Sequence, residues 1–366
     1  MKFFIALYII QEKVMKNFDE NLIYKEFKRD DLEFFDVKSG KFSVFGLYDF
    51  FNRSDYVRMP ISRAKQISVG VEGAAPLAAG GRICFKTNSK TVAIMAQVEG
   101  YHGANFSAIG LVGFDLCVKE NGKFHRRKIF RPKDDPSLPY CGTVELVDGE
   151  KEILINMPNY GNVKSVKIGV VKGSYIENLN PYRKDIKPIL YYGSSITQGG
   201  CASVPGNAYE NIISRWNDVD FINLGFSGWA KAEPEMANYI VEQDISLFVY
   251  DYDHNAPTLE YYEQTHYSFY KSIRDRKPDL PILMVTRPDV EQNPKATDDS
   301  IAVALKSYKR AISEGDKNVY FINGYELFGN KDVDLCTTDG CHPNDLGFYR
   351  MAKVIGGKID DILKLR

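Results

Sequence analysis

A chain of 366 residues with 44% hydrophobic and 13% aromatic content exceeds the usual single-domain size and can fill one large or two ordinary cores. Its 47 lysines and arginines against 48 aspartates and glutamates leave a formal net charge of -1, which offers no long-range attraction for nucleic acid or an anionic membrane and points to a small molecule or a glycan as partner. The cysteines, Cys84, Cys117, Cys141, Cys201, Cys336 and Cys341, are scattered and lack zinc-finger spacing, so neither a disulfide framework nor a metal centre is expected, and no other cofactor is.

The chain opens on MKFFIALYIIQEKVMKN, whose early lysine and short apolar run resemble the front of a signal peptide. The run passes into Gln11-Glu12-Lys13 without a small-residue cleavage site and is too short to span a bilayer, and Met15 offers an alternative start; cytoplasm and secretion stand nearly even. From Phe42 to about Val171 the chain reads as short strands: Phe42–Leu47, Gly81–Thr87, Thr91–Val98, Gly113–Lys119, Gly142–Val147 and Val163–Val171. Breaks such as Gly70–Gly81 and the Asn121-Gly122 turn divide them. No helical pattern of useful length interrupts them, which predicts an all-β sandwich over residues 20–178. Around Asn178–Pro188 the sequence turns polar, and residues 179–188 are expected to form a linker.

Beyond it, strands alternate with helices. Compact apolar runs at Ile189–Tyr192, Phe221–Leu224, Leu247–Tyr250, Ile282–Thr286 and Val319–Ile322 suit strands buried on both faces. Tyr209, Ile212, Ile213 and Trp216 fall at i, i+3, i+4 and i+7; Ile301, Leu305, Tyr308 and Ile312 form a second stripe, and Phe348, Met351, Ile355, Ile359 and Ile362 a third. The alternation predicts an α/β domain over residues 189–366, its parallel sheet covered by helices on both faces and its ligands bound beyond the carboxyl ends of the strands.

The first of these strands runs into Tyr192-Gly193-Ser194-Ser195-Ile196-Thr197-Gln198-Gly199-Gly200, which puts Ser195 at that edge. A hydroxyl is a poor nucleophile until a base takes its proton, so the reading needs a histidine and an orienting acid. Thr338-Asp339-Gly340-Cys341-His342-Pro343-Asn344, just before the last helix, offers both. Asp339 and His342 are three apart, and one tight turn brings the carboxylate to the ring nitrogen not used in proton transfer. The serine loop lacks the Walker lysine and the dinucleotide glycine spacing, which sets a phosphate loop aside. After the second and third strands come Asn223–Gly228 and Asp251–Pro257. A glycine with free backbone approach and an asparagine amide, both at this edge, suit an oxyanion hole. Singly, each feature has a structural explanation as a capping serine, a strand-end glycine or a capping asparagine; together they point to one site. His254 and Trp229, beside Asn255 and Gly228, are candidates for lining the substrate pocket and equally for packing. His102, His125 and His266 show no partner pattern. Cys201 and Cys341 leave a bridge between the serine and histidine loops open.

From Ile189 to the end these residues resemble the four blocks of the SGNH or GDSL hydrolase superfamily, centred on serine, glycine, asparagine and histidine. Gly193-Ser194-Ser195-Ile196-Thr197 stands where the family has Gly-Asp-Ser-Ile/Leu-Thr, with serine for aspartate. Gly228 falls in the second block, Asp253-His254-Asn255-Ala256 takes the place of Gly-x-Asn-Asp, and Asp339-x-x-His342 matches the last. The resemblance implies a flavodoxin-like three-layer α/β/α hydrolase domain. Phe42–Leu47, Arg58-Met59-Pro60 and Ala79–Phe85 resemble the jelly-roll domain that precedes it in bacterial carbohydrate esterases. It implies in turn a serine esterase that cleaves short-chain acyl esters, acetyl above all, on carbohydrates, by a Ser195–His342–Asp339 triad through an acyl-enzyme, without metal or other cofactor. A lipid esterase or thioesterase with the same triad, and an inactive carbohydrate-binding protein, are the competing readings. The expected partner is a small-molecule or glycan ester, with neither nucleic acid nor membrane; the oligomeric state is left open.

Overall fold

The computed structural model describes residues 29–365 apart from 101, 102, 104, 134–138 and 290–293; the apolar start of the chain, the first residues of the expected sandwich and His102 lie outside the described residues. Two antiparallel sheets make up the N-terminal part. In one, β1 (Leu32–Asp36), β9 (Gly161–Val171), β4 (Thr91–Gly100) and β7 (Tyr140–Glu145) lie side by side. In the other the order is β10 (Ile176–Asn178), β3 (Arg82–Thr87), β8 (Lys151–Asn156), β5 (Phe114–Glu120) and β6 (Lys123–Phe130), with β2 (Ser43–Phe45) also paired to β3. The charged run of β6 gives no apolar alternation to read, because only Phe124 and Phe130 turn inward. Helices at Ile61–Ile67, Val69–Ala74 and Ala108–Val112 interrupt the strands where the pattern predicts none. Their seven, six and five residues are too few to carry a helical period. Ser68 and Ser107 cap the last two by accepting from Val71 N and Gly110 N.

The remaining strands, β11 (Ile189–Gly193), β12 (Phe221–Gly225), β13 (Leu247–Asp251), β14 (Ile282–Val285) and β15 (Val319–Ile322), form one parallel sheet in the order β12-β11-β13-β14-β15. In this doubly wound order the connections on either side of β11 leave to opposite faces and open a crevice at the carboxyl ends of β11 and β13. Alternate residues feed the two cores. Leu190 and Tyr192 pack with Met236, Phe269 and Val303 from the helices Pro234–Glu242, Leu259–Arg274 and Pro294–Ser313, while Ile189 and Tyr191 pack with Ile213 and Phe348 from Tyr209–Asn217 and Asp345–Leu363. Met59, Ala64 and Val71 join the first of these cores, so the short N-terminal helices pack with the α/β layers and Leu32–Arg366 forms one compact unit. Leu179 and Tyr182, in the stretch expected to be a linker, are buried. Among the described residues no helix is long and apolar enough to cross a membrane.

Two buried arginines tie the sandwich to β12. The Arg82 side chain donates to Asp220 Oδ1 at 2.7 Å and to the Phe221 carbonyl at 2.9 Å, and lies 3.8 Å over the Phe221 ring. Arg58 donates to the carbonyls of Gly225 at 2.6 Å and Ala74 at 2.8 Å, and burial pulls its guanidinium down to about 9. Removing one partner of a largely buried pair costs about 3 kcal/mol. Arg82→Ala is therefore expected to lower the unfolding free energy by about that amount, read from the urea midpoint; an unchanged midpoint would remove Arg82 as a tie between the layers.

Candidate active site

The loop after β11 is drawn tight by its own backbone: Gln198 N donates to Ser194 O at 3.1 Å and Gly200 N to Ser195 O at 2.8 Å. Ser194, standing where the resembled family has aspartate, accepts from Ile196 N at 3.2 Å. A carboxylate reaches this loop from β13 instead. Asp251 Oδ1 accepts from Thr197 Oγ1 at 2.5 Å and from Ser194 N at 3.4 Å. A Cβ on Gly193 would lie 1.9 Å from that oxygen, so only glycine lets the strands close here. Burial, helped by the nearby Asp253, pushes the Asp251 carboxyl up to about 7 against the Thr197 hydroxyl, the Ser194 N–H and His254.

His342 arrives from the opposite end of the chain. Its Nε2 lies 2.8 Å from Ser195 Oγ and its Nδ1 2.8 Å from Asp339 Oδ2. The Asp339-to-His342 turn closes through Gly340, at φ +81°, and Thr338 N donates to His342 O at 2.9 Å. Asn344 then caps the helix Asp345–Leu363, accepting from Leu346 N and Gly347 N. Asp339 Oδ1 takes the backbone N–H groups of His342 at 2.7 Å and Cys341 at 3.0 Å. Burial raises the Asp339 carboxyl, but those donors and the imidazole outweigh it and hold the group below the usual carboxylate range.

Gly228 sits in a turn in which Trp229 N and Ala230 N donate to Phe226 O at 2.8 and 3.1 Å. Asn255 Nδ2 donates to the same carbonyl at 3.0 Å, which leaves its second amide hydrogen for another acceptor. Among the described residues the N–H groups of Ser195 and Gly228 have no protein acceptor. The two loops are stitched together: Phe226 N donates to Gly193 O at 2.9 Å, Asn223 Nδ2 to Thr197 O at 2.6 Å and Ser227 N to Gln198 Oε1 at 3.0 Å. Asp253 steadies the Asn255 turn by accepting from His254 N and Arg287 N.

His254 is held inward, its Nε2 3.2 Å from Asp289 Oδ1 and its Nδ1 3.7 Å from Cys341 Sγ. Burial pulls this imidazole down, but Asp289, Cys341 and Asp253 outweigh it and raise it to about 10. Trp229 is 45% exposed, rests on Gly70 and carries Lys231 Nζ 4.9 Å from its ring. Cys201 and Cys341 are free thiols facing different partners, Asn105 O and His254, and no bridge joins the loops. His266 is buried and burial pulls it down to about 3, a neutral packing residue. Among the described residues two groups carry metal-type donors, Cys201 with Asp339 and His342, and His254 with Asp289 and Cys341. Both are engaged: Asp339 holds His342, and Arg287 holds Asp289 at 2.6 and 2.8 Å.

Asp251 is legible only as an acid closing a buried strand. Asn105, Phe106 and Tyr160 reach Asp339, His342 and Ser195 from the sandwich, and nothing in their local sequence predicts that.

At the carboxyl edge of the doubly wound sheet a serine, an imidazole and a carboxylate thus lie in hydrogen-bond sequence. Residues 186–360 match the GDSL-like lipase/acylhydrolase family and residues 32–176 the N-terminus of SGNH hydrolase-type esterases. The chain belongs to this family and is an esterase. Its fold is similar to that of a Bacteroides ovatus protein described as a GDSL-like lipase, at 29% identity over 91% of this chain and 98% of that one, TM-score 0.82. It is also similar to a salicylyl-acyltransferase from a tetracycline biosynthetic pathway, at 18% identity over 93% and 100% of the two chains, TM-score 0.74. An acetyl xylan esterase of the rumen bacterium Butyrivibrio proteoclasticus shares the fold at 13% identity over 91% and 99%, TM-score 0.56. Among curated proteins no sequence matches.

The Asp251 carboxyl, at about 7 in the fold against about 4 unfolded, yields a prediction. A raised acid contributes stability that is full below pH about 4 and is lost as pH rises through about 7. Asp251→Asn should therefore flatten the dependence of unfolding stability on pH across that window and gain on the wild type above it. Parallel curves for the two proteins would count against a neutral Asp251.

Proposed function

We propose that this esterase removes short acyl groups, acetyl first among them, from carbohydrates, with Ser195 as nucleophile, His342 as general base and Asp339 as orienting acid. The observation that carries the reading is the relay of two 2.8 Å contacts from Ser195 Oγ through His342 to Asp339. In the first half-reaction the Ser195 oxygen attacks the ester carbonyl as its proton passes to His342 Nε2. The oxyanion forms against the N–H groups of Ser195 and Gly228 and the free hydrogen of Asn255 Nδ2. The tetrahedral adduct collapses to an acyl-enzyme while His342 returns the proton to the leaving alcohol. Water then gives its proton to His342, attacks the acyl carbon, and the acid leaves as Ser195 takes its proton back. The likeness in fold to an acetyl xylan esterase, and to a Clostridium thermocellum carbohydrate esterase in complex with cellohexaose, supports an acetylated sugar as substrate. A serine in hydrogen-bond contact with its base speaks against an inactive binding protein.

The test is hydrolysis of p-nitrophenyl acetate, butyrate and octanoate. The acetate ester should be preferred, and Ser195→Ala should lose roughly 10⁴-fold or more in kcat with the fold retained. Asn255→Ala, which removes one oxyanion donor, should lose on the order of 100-fold. Octanoate preference would transfer the reading to a lipid esterase, and normal turnover by Ser195→Ala would refute the nucleophile.

A further inference from the structure

The Asp339 carboxylate has four donors, and one does not come from its own loop. Cys341 N and His342 N hold Oδ1, and His342 Nδ1 faces Oδ2. The fourth, also on Oδ2, is Asn105 Nδ2 at 2.5 Å, from a residue 234 positions earlier in the chain. We propose that Asn105 is a positioning residue of the relay, through which the N-terminal sandwich completes the esterase site; this rests on the reading of Ser195, His342 and Asp339 given above.

The physical reason lies in the exposure of the acid. The Asp339 side chain is 25% exposed, and a carboxylate oxygen offers two lone pairs. The imidazole uses one lone pair of Oδ2. Water on the other would exchange and let the carboxylate plane rock away from Nδ1. A fixed amide donor there removes that freedom and keeps the other Oδ2 lone pair in line with the Nδ1–H of His342. Asn105 can do this because its segment is itself latched to the serine loop. Cys201 Sγ donates to Asn105 O at 3.4 Å, and Ser107 Oγ donates to Ser203 O at 2.9 Å. The Phe106 ring stands edge-on to the His342 ring at 5.4 Å and to Tyr160 at 5.1 Å, and Tyr160 Oη donates to Ser195 O at 3.3 Å. Acid, base and nucleophile thus each touch one sandwich residue: Asn105, Phe106 and Tyr160.

The experiment compares full-length wild type, Ser195→Ala, Asn105→Ala and Asn105→Asp on p-nitrophenyl acetate, with thermal unfolding of each. Asn105→Ala should lose about tenfold in kcat, the loss of one hydrogen bond to a charged acceptor, with KM and the unfolding midpoint nearly unchanged. Asn105→Asp keeps the size and shape of the side chain but turns a charged acceptor towards Asp339; its kcat should fall at least as far. Wild-type kcat in Asn105→Asp, or a loss confined to KM, would reduce Asn105 to packing and overturn the proposal. The serine variant separates the two readings. If Ser195→Ala is inactive while both Asn105 variants turn over normally, only the positioning role falls; if Ser195→Ala remains active, the relay falls and the role of Asn105 with it.

Discussion

Ser195 Oγ and His342 Nε2 meet at 2.8 Å although 147 residues separate them, and both ride on loops. A loop is the part of a protein least able to hold a position to a few tenths of an ångström, yet proton transfer demands that tolerance. The sheet supplies the coarse placement. In the order β12-β11-β13-β14-β15 the turns after three adjacent strands converge on one edge. Fine placement comes from hydrogen bonds between those turns: Phe226 N on Gly193 O, Asn223 on Thr197 O, Ser227 N on the Gln198 side chain, and Asp251 on Thr197 and Ser194.

Arg58 extends the same logic from the other side. A guanidinium buried among carbonyls, with no ion-pair partner among the described residues, carries a desolvation cost that a surface position would avoid. What the position gives is polarity. Arg58 binds the carbonyl of Gly225, and the N–H of that same peptide, on Phe226, donates to Gly193 O. A cation on one end of a peptide dipole strengthens the donor at the other, so Arg58 tightens the bond that joins the Gly228 turn to the serine loop. Its guanidinium also lies 4.7 Å from the Phe226 ring, and the Phe226 carbonyl gathers Trp229 N, Ala230 N and Asn255 Nδ2.

This arrangement explains which parts of the protein are legible in the sequence. The parallel strands are runs of apolar residues because both faces are buried, and the long helices carry a stripe because one face is; both signals are local. Ser195, His342 and Asp339 are legible because each belongs to a short segment whose residue types answer one chemical need. The short helices Ile61–Ile67, Val69–Ala74 and Ala108–Val112 are not, since a turn or two yields no period and tertiary packing decides them. The free Cys201 and Cys341 are decided by side-chain direction, which spacing does not encode. Asn105, Phe106, Tyr160 and Arg58 are silent for a further reason: their meaning resides in a partner more than a hundred residues away or in another layer of the fold.

Two carboxyl groups at the same edge live under opposite rules. Asp339 is partly exposed and ringed by N–H donors, which stabilise the anion, so it faces His342 ionised at neutral pH. Asp251 lies deeper, beside Asp253, and burial raises its carboxyl to about 7. Its hydrogen bonds are to Thr197 and Ser194 of the serine loop. Asp339 thus lies against the imidazole and Asp251 against the serine loop, and the N–H donors around the one and the burial of the other set their carboxyls apart.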